Sequence, residues 1–146
     1  MRDMTTQLYF SVVPPQVVDV VWPDAKKMLM KALDVQHGVY DIDSIHESLK
    51  SSELLLWLVI DNATPIAAIT TRICIYPSGK GLALDWMGGE RMREWLPMVQ
   101  EAMERYARDN GCTHIEGYGR KAWGRWLQKY GWKPAYIAYK MELTDG

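Results

Sequence analysis

The sequence predicts one α/β (α+β) domain over residues 1–146, built on a mixed, mostly antiparallel sheet flanked by helices. Its length suits a single domain with a substantial core. Apolar segments between residues 54 and 87 are separated by turn sequences, which is typical of antiparallel hairpins. A strand, a glycine turn, a helix and a strand then follow one another, and this order indicates a crossover to a parallel strand.

The first elements are a strand and a helix. Gln7 to Val13 is rich in β-branched and aromatic residues, which favours a strand that ends at Pro14-Pro15. The apolar residues that follow recur at helical spacing but are interrupted at Trp22-Pro23. We therefore expect a short helical turn and then a helix from about Asp24 to Leu33.

A second helix and a hairpin come next. Asp41 to Lys50 contains Ser44 followed three residues later by a glutamate, which is the spacing of a capping box at a helix start. Leu54 to Ile60 is apolar throughout, and this predicts a strand covered on both faces. After the turn sequence Asp-Asn-Ala-Thr, Ile66 to Tyr76 supplies the next strand, and Pro-Ser-Gly-Lys forms another turn.

The stretch from residue 80 to residue 132 organises the rest of the chain. Pro97 lies inside its long helical pattern, so we expect a kink or a helix start nearer Leu96. Beyond the stretch, Tyr136 to Leu143 alternates in polarity and predicts a final strand. The predicted elements of the stretch are a strand (Gly81 to Met87), a Gly88-Gly89 turn, a helix (Arg91 to Asp109), a strand (Cys112 to Tyr118) and a small helix (Arg120 to Tyr130).

Charge and cysteine content argue against several classes of protein. The net charge of −1 provides no electrostatic reason to bind nucleic acid or an anionic membrane. No apolar run approaches the roughly 18 residues of a membrane span, and the N-terminus lacks the pattern of a secretory signal. Cys74 and Cys112 form no CxxC motif, so we expect reduced thiols in a cytoplasmic protein. His37 and His46 have no metal-like companions, so we expect no metal site.

The segment from Arg120 to Trp132 reads R-K-A-W-G-R-W-L-Q-K-Y-G-W. With the element order, it resembles the late motif of the GCN5-related N-acetyltransferase (GNAT) superfamily, in which a small helix ends in a glycine–aromatic pair before the last strand. Gly131-Trp132 stands where that family often has Gly-Phe. The glycine positions also resemble those of small GNAT-like proteins encoded by phages and prophages. The resemblance implies the GNAT fold and transfer of an acyl group from acetyl-CoA, or another acyl-CoA, to an amine of a small molecule or a protein.

The resemblance also implies where the cofactor binds. In the family, backbone N–H groups of a Gln/Arg-x-x-Gly-x-Gly/Ala signature hold the pyrophosphate at the N-terminus of the long helix. The matching segment here reads W-M-G-G-E-R-M-R-E-W; it lacks that pattern, and its glutamates place negative charge beside the turn. The structural alternative to cofactor binding is, for the glycines, a tight strand-to-helix connection. For the tryptophans it is burial in the core. The candidate cofactor-binding residues are Trp86, Met87, Gly88, Gly89, Arg91, Arg93, Arg120 and Trp123.

Asp85, Glu116 and His114 are the candidate bases that would take a proton from the amine. Strand alternation predicts that Asp85 points away from Leu84 and Trp86. A polar strand face that is covered by a helix or by water is the plain alternative for the other two. The residues expected on one face of the short strand are Cys112, His114, Glu116 and Tyr118.

The resemblance supplies the rest of the mechanism. It implies direct attack of the amine on the thioester, with a carboxylate or water as base and with a backbone N–H near Asp85 to Met87 polarising the carbonyl. Many members of the family carry a tyrosine in the late helix as general acid for the leaving thiolate. The matching position is Leu127, and Tyr130, three residues further on, is the candidate acid in this chain.

Two other functions stay open. One is a catalytically inactive GNAT-fold binding or structural protein of phage or prophage origin, which the missing signature and the acidic turn favour. Seven Trp and eight Tyr, against one Phe, suit surfaces that grip a protein partner or a second copy in a homodimer. The other is a nucleic-acid-associated module, against which the net charge argues. Its basic residues would be Arg91, Arg93, Arg120, Lys121 and Arg125.

Overall fold

A computed structural model of the chain describes residues 7–33, 41–117, 127–137 and 139–144. Short 3₁₀ turns lie at Pro15–Val17 and Gln128–Tyr130. The strands and helices of the described residues are β1 (Leu8–Val13), α1 (Val18–Leu33), α2 (Ile42–Lys50), β2 (Leu55–Asp61), β3 (Thr64–Tyr76), β4 (Gly79–Leu84), β5 (Met87–Gly89), α3 (Met92–Asp109) and β6 (Cys112–Gly117).

The strands form one sheet in the order β1-β2-β3-β4-β6. Neighbouring strands are antiparallel except for β4 and β6, which are parallel. Helix α3 makes the crossover between these two parallel strands. The short strand β5 leaves this path and pairs with β3 in antiparallel orientation. The predicted fold class, a mixed and mostly antiparallel sheet flanked by helices, is confirmed.

Helices cover both faces of the sheet, and each face carries its own core. On the α1 side, α1 and α2 pack over the buried Leu56 and Leu58. On the α3 side, α3 packs over Val59, Ile69 and Leu82. Neighbouring residues of β2 point to opposite faces and both faces are covered, which explains why residues 54–60 are apolar throughout. Among the described residues, no helix combines the length and the apolar character needed to cross a membrane.

Helix α1 is longer than the sequence predicts, because it continues through Pro23. Trp22 and Leu29 are both buried in the core of the α1 side, one before and one after the proline. This apolar stripe keeps both halves in one helix, although a proline removes one backbone hydrogen bond. Helix α3 likewise begins at Met92 and runs through Pro97.

Helix α2 is capped by Asp41 rather than by Ser44. The backbone N–H of Ser44 donates to Asp41 Oδ1 at 2.7 Å, and this hydrogen bond lowers the pKa of Asp41. An aspartate is as good an N-cap as a serine, so the helix starts three residues earlier than the capping-box spacing predicts.

The predicted strand from Gly81 to Met87 is interrupted, and the interruption changes the face of its last residues. β4 ends at Leu84 and β5 begins at Met87. Leu84 packs on the α3 side, whereas Trp86 is buried in the core of the α1 side. The prediction that Leu84 and Trp86 share a face is therefore wrong, because the break after Leu84 shifts the alternation by one residue.

A second irregularity moves Cys112 away from the face on which it was predicted. The register of β4 and β6 shifts between Cys112 and His114, so Thr113 is an extra residue in β6. Cys112 consequently packs on the α3 side. His114 and Glu116 still share the opposite face, as the alternation predicts.

The predicted final strand, Tyr136 to Leu143, is not formed in the described residues. Residues 133–137 and 139–144 belong to no strand or helix, and Ile137 and Tyr139 are 75% and 91% exposed. Alternating polarity favours a strand, but a strand also needs a neighbour that bonds its backbone. Of the predicted small helix from Arg120 to Tyr130, residues 120–126 lie outside the described residues, and its described end contains the 3₁₀ turn.

Candidate active site

The parallel strands β4 and β6 part at the end of β4. In the described residues their pairing ends with Leu84 opposite Gly117, whereas Met87 to Gly89 pair with β3. We call this end of the pairing the opening; a short segment that contains β5 joins it to the N-terminus of α3, which has no side-chain cap. Backbone N–H groups and the helix dipole favour an anion at such a place. This opening is therefore one half of the candidate site.

Trp86 is held in the interior of the fold. Its backbone N–H donates to Thr70 Oγ1 at 3.3 Å, and its carbonyl accepts from the Thr70 N–H at 2.9 Å. Its ring is buried on the α1 side, whereas Met87 packs on the α3 side. Of the backbone N–H groups that the sequence assigns to the thioester carbonyl, the one of Trp86 is thus engaged by Thr70.

Gly88 and Gly89 are required by close packing. A Cβ atom on Gly88 would lie 2.0 Å from the carbonyl oxygen of Met28 in α1. On Gly89 it would lie 2.3 Å from the carbonyl oxygen of Ile66, and Gly89 has a φ of +145°, which other residues rarely adopt. A tight connection accounts for both glycines, and their approach to a phosphate stays a prediction.

Arg91 joins the start of α3 to the end of β2. Its Nη1 donates to Asp61 Oδ2 at 2.7 Å, and its Nε and Nη2 donate to the two carboxylate oxygens of Glu94 at 2.8 and 3.0 Å. These hydrogen bonds, first those to Glu94, raise the pKa of the Arg91 guanidinium, and they lower the pKa of Glu94. Arg91 therefore neutralises Glu94, whose negative charge beside the turn would otherwise repel an anionic cofactor. Arg93 is exposed on the first turn of α3.

The other half of the site is a polar surface on the α1 side of the sheet. Strands β3 and β6 contribute its side chains at alternate positions. Between them, β4 contributes Gly81 and Ala83, whose side chains are absent or small. Helices α1 and α2 cover a different part of this side, over β1, β2 and the first half of β3. We call this surface the polar face, and its side chains are Arg72, Cys74, Tyr76, Asp85, His114 and Glu116.

One end of the polar face is an ion pair between Arg72 and Asp85. Arg72 Nε donates to Asp85 Oδ2, and Arg72 Nη2 donates to Asp85 Oδ1 at 3.2 Å. Arg72 Nη1 also donates to Cys74 Sγ at 2.9 Å. The Asp85 side chain is only 5% exposed, and this bidentate partner compensates its charge. Asp85 is thus occupied by a structural ion pair.

The other end of the polar face is a cluster around Glu116. The Tyr76 hydroxyl donates to Glu116 Oε1 at 2.7 Å, and His114 Nε2 lies 2.9 Å from the same oxygen. Burial acts to raise the pKa of Glu116, but the hydrogen bonds from Tyr76 and His114, with the charges of His114 and Arg72, outweigh it and lower the pKa. Donation to Glu116 in turn raises the pKa of the Tyr76 phenol.

The structure brings the candidate bases Asp85, Glu116 and His114 to one face but separates them from Tyr130. Tyr130 packs on the α3 side, across the sheet from Glu116, and its carbonyl accepts from Gln100 Nε2 at 2.7 Å. The sequence reasoning missed the β3 residues, although the pattern R-I-C-I-Y places alternate polar side chains on one face. The predicted site residues outside the described part are Tyr118, Arg120, Lys121, Trp123 and Arg125.

Other parts of the described surface are weaker candidates for a functional site. Within the described ranges, no group of three or more His, Cys, Asp or Glu side chains could hold a metal ion. His46 Nε2 lies 2.7 Å from Asp19 Oδ1, and the His46 ring stacks on Trp22. A hollow of about 310 Å³ along the second half of α3 is lined by charged side chains, several of them in ion pairs between successive turns. It lies at the other end of α3 from the opening.

Solved structures reveal what this architecture is similar to. The aminoglycoside N-acetyltransferase AAC(6')-Iy in complex with CoA matches with a TM-score of 0.68 at 13% identity, over 98% of this chain and 100% of that chain. Glucosamine-6-phosphate N-acetyltransferase from Arabidopsis thaliana matches at 0.64 and 12% identity, over 94% and 99%. A possible acetyltransferase from Clostridium difficile 630 matches at 0.68 and 11% identity, over 94% and 99%. No family model and no curated protein match the chain. The likeness shows that the chain has the GNAT fold.

Gly88→Ala should destabilise the protein, because the added methyl group would meet the Met28 backbone. We expect the free energy of unfolding, measured by urea denaturation, to fall by roughly 1–3 kcal/mol. Gly81→Ala is the matched control, because the three atoms nearest to its methyl group are side-chain ends of His114 and Glu116, which can move. Equal losses for the two variants would contradict the packing role of Gly88.

Arg72→Met should destabilise the protein strongly, because it leaves the Asp85 carboxylate buried without its partner. We expect a loss of about 3 kcal/mol in the free energy of unfolding. The double variant Arg72→Met/Asp85→Leu removes both charges and should recover most of that loss. A double variant as unstable as the single one would show that the charge pair is not what stabilises this region.

Proposed function

We propose that the chain is a cytoplasmic N-acyltransferase that moves an acyl group, acetyl in the first instance, from an acyl-CoA to an amine. The observation that carries the proposal is the parting of β4 and β6 next to Glu116, a carboxylate with a lowered pKa, in a GNAT fold. Enzymes with similar structures support it, since one is in complex with CoA and another, an aminoglycoside acetyltransferase, is in complex with sisomicin.

The donor's pyrophosphate would bind at the N-terminus of α3. The helix has no side-chain cap, Arg93 is exposed on its first turn, and Arg91 neutralises Glu94. These features fit an anionic group. Acyl-CoA supplies the activated acyl group when bound. Arg120 and Trp123 remain candidate contacts for it, as do the backbone N–H groups near Asp85 to Met87.

The acceptor would bind on the polar face. Transfer forms a bond between the acceptor nitrogen and the acyl carbon, breaks the bond from that carbon to the CoA sulfur, and requires the amine to lose a proton. Glu116 would take this proton, directly or through water, and its negative charge would also attract a cationic amine. Asp85 is less suited to this task because Arg72 occupies both of its oxygens. Tyr130 stays the candidate acid for the leaving sulfur, with water as the alternative.

Donor binding is tested by calorimetric titration with acetyl-CoA and with CoA. Wild type should bind with micromolar affinity, and Arg93→Glu should bind about tenfold more weakly because it reverses a charge beside the pyrophosphate. Lys26→Glu, an equal charge change on the exposed surface of α1, should leave the affinity unchanged. Gly89→Glu is a poor probe, because Gly89 packs against β3. No heat at millimolar ligand would refute the proposed donor site.

Glu116→Gln should lower kcat/KM by about 10²–10⁴-fold in a thiol-release assay with a panel of amines, because it removes the base. Glu101→Gln is the matched control, since Glu101 is exposed on α3 in an ion pair with Arg105 and should not affect the rate. Full activity of Glu116→Gln would mean that water or another group takes the proton.

A second candidate is a catalytically inactive GNAT-fold binding or structural protein of phage or prophage origin. The engagement of the Trp86 N–H by Thr70 and the packing of Gly88 and Gly89 favour it, since they account for this segment without a cofactor. A protein partner or a second copy would then cover exposed apolar residues such as Tyr139. No heat with acetyl-CoA or CoA, together with no turnover of any amine, would support this candidate. A nucleic-acid module is disfavoured further, because Arg91 is already bound to Asp61 and Glu94.

A further inference from the structure

Tyr76 contacts both polar residues that β6 presents on the polar face. Its hydroxyl donates to Glu116 Oε1 at 2.7 Å. Its ring stacks on His114, with ring centres 6.0 Å apart and an interplanar angle of 27°. Tyr76 is the last residue of β3, and β4 separates that strand from β6, so these side chains meet across an intervening strand.

Gly81 provides the space in which this contact forms. A Cβ atom at this position would lie 2.5 Å from His114 Nε2 and 2.8 Å from Glu116 Oε1. The imidazole and the carboxylate therefore lie directly over the backbone of β4. His114 Nε2 and the Tyr76 hydroxyl approach the same carboxylate oxygen, Oε1. The shared contact restricts the rotation of the carboxyl group, and within the described residues Oε2 accepts no side-chain hydrogen bond, so it is the oxygen for an incoming proton.

We propose that Tyr76 is a positioning residue for the acyl transfer, which holds the Glu116 carboxylate turned so that Oε2 can receive the proton of the acceptor amine. The inference rests on the proposed function, in which Glu116 is the base. It adds a residue to the site that touches neither substrate and acts through Glu116. Gly81 contributes to this positioning, because it leaves room for the side chains of His114 and Glu116.

The sign of the expected pH effect follows from the groups around Glu116. Among the described residues, these groups on the polar face are Arg72, Cys74 and Tyr76 from β3, Asp85 after β4 and His114 on its own strand. Arg72 and Asp85 largely compensate each other's charge. Without the Tyr76 hydroxyl, one of the hydrogen bonds that oppose burial is lost, so the pKa of Glu116 rises. The active, ionised form then appears only at higher pH.

Tyr76→Phe tests the proposal, because it keeps the ring on His114 and removes only the hydroxyl. The acid limb of the kcat/KM profile should move up by about one pH unit, while the plateau at higher pH changes little. The Glu116 carboxyl signal, followed by carbon-detected NMR against pH, should move in the same direction. Tyr9→Phe is the matched control, since the Tyr9 hydroxyl bonds Gln7 on the exposed surface of β1; neither measurement should change.

Gly81→Ala is the second variant, and its added methyl group would disturb the Glu116 carboxylate from β4 rather than from β3. Its methyl group should displace His114 and Glu116 and lower kcat by about tenfold or more, with the affinity for acetyl-CoA unchanged. An unmoved Glu116 titration in Tyr76→Phe would overturn the proposal whatever the activity. A moved titration with an unmoved acid limb would overturn it as well, because Glu116 would not be the base.

The two failures are distinguishable. A wild-type protein that transfers no acyl group would overturn the proposed function and, with it, any positioning role in transfer. The titration of Glu116 in the same samples would still report whether the Tyr76 hydroxyl bonds the Glu116 carboxylate.

Discussion

The candidate site depends on the interruption of the strand between Leu84 and Met87. Two sets of bonds hold the intervening residues: Asp85 pairs with Arg72, and both backbone groups of Trp86 bond to Thr70. The chain therefore stays bonded to β3 while its pairing with β6 ends. The opening between the parallel strands is a direct consequence, and so is the burial of Trp86 beneath α1.

The polar face uses two carboxylates in different ways. Asp85 is buried and faces a permanently charged guanidinium, so separating the pair would be costly. Glu116 is only partly buried, and its hydrogen-bond partners are a phenol and an imidazole. Its charge is stabilised without being cancelled by a bidentate arginine. This difference in surroundings, rather than a difference between aspartate and glutamate, makes Glu116 the better candidate for proton transfer.

The connection before α3 illustrates how one segment serves packing and charge together. Because Gly88 and Gly89 have no side chain, α1 packs against Gly88 and β3 packs against Gly89, each closer than a Cβ atom would permit. Arg91 follows with a φ of 62°, a left-handed conformation that few non-glycine residues adopt. Its ion pairs with Asp61 and Glu94 hold that conformation and remove the negative charge that would repel an anion at the helix start.

Much of the architecture was predictable because its signals are local. The apolar run in β2 predicts a strand covered on both faces, the turn after it predicts a hairpin, and the glycine turn followed by a long amphipathic helix predicts the crossover to a parallel strand. Alternation in β6 likewise predicts that His114 and Glu116 share a face. The segment from Tyr136 to Leu143 has the same kind of signal, but its described residues belong to no strand.

Tertiary structure decided the features on which the proposed chemistry depends. The break after Leu84 reverses the face of Trp86, and the extra residue Thr113 moves Cys112 to the α3 side. The hydrogen bond from Tyr76 to Glu116 joins residues 40 positions apart in the chain. The sequence by itself determined the periods of its strands and helices, and hence the fold class. Which strand ends where, and which side chains meet across a third strand, depends on contacts between distant segments, and these leave no periodic trace in the sequence.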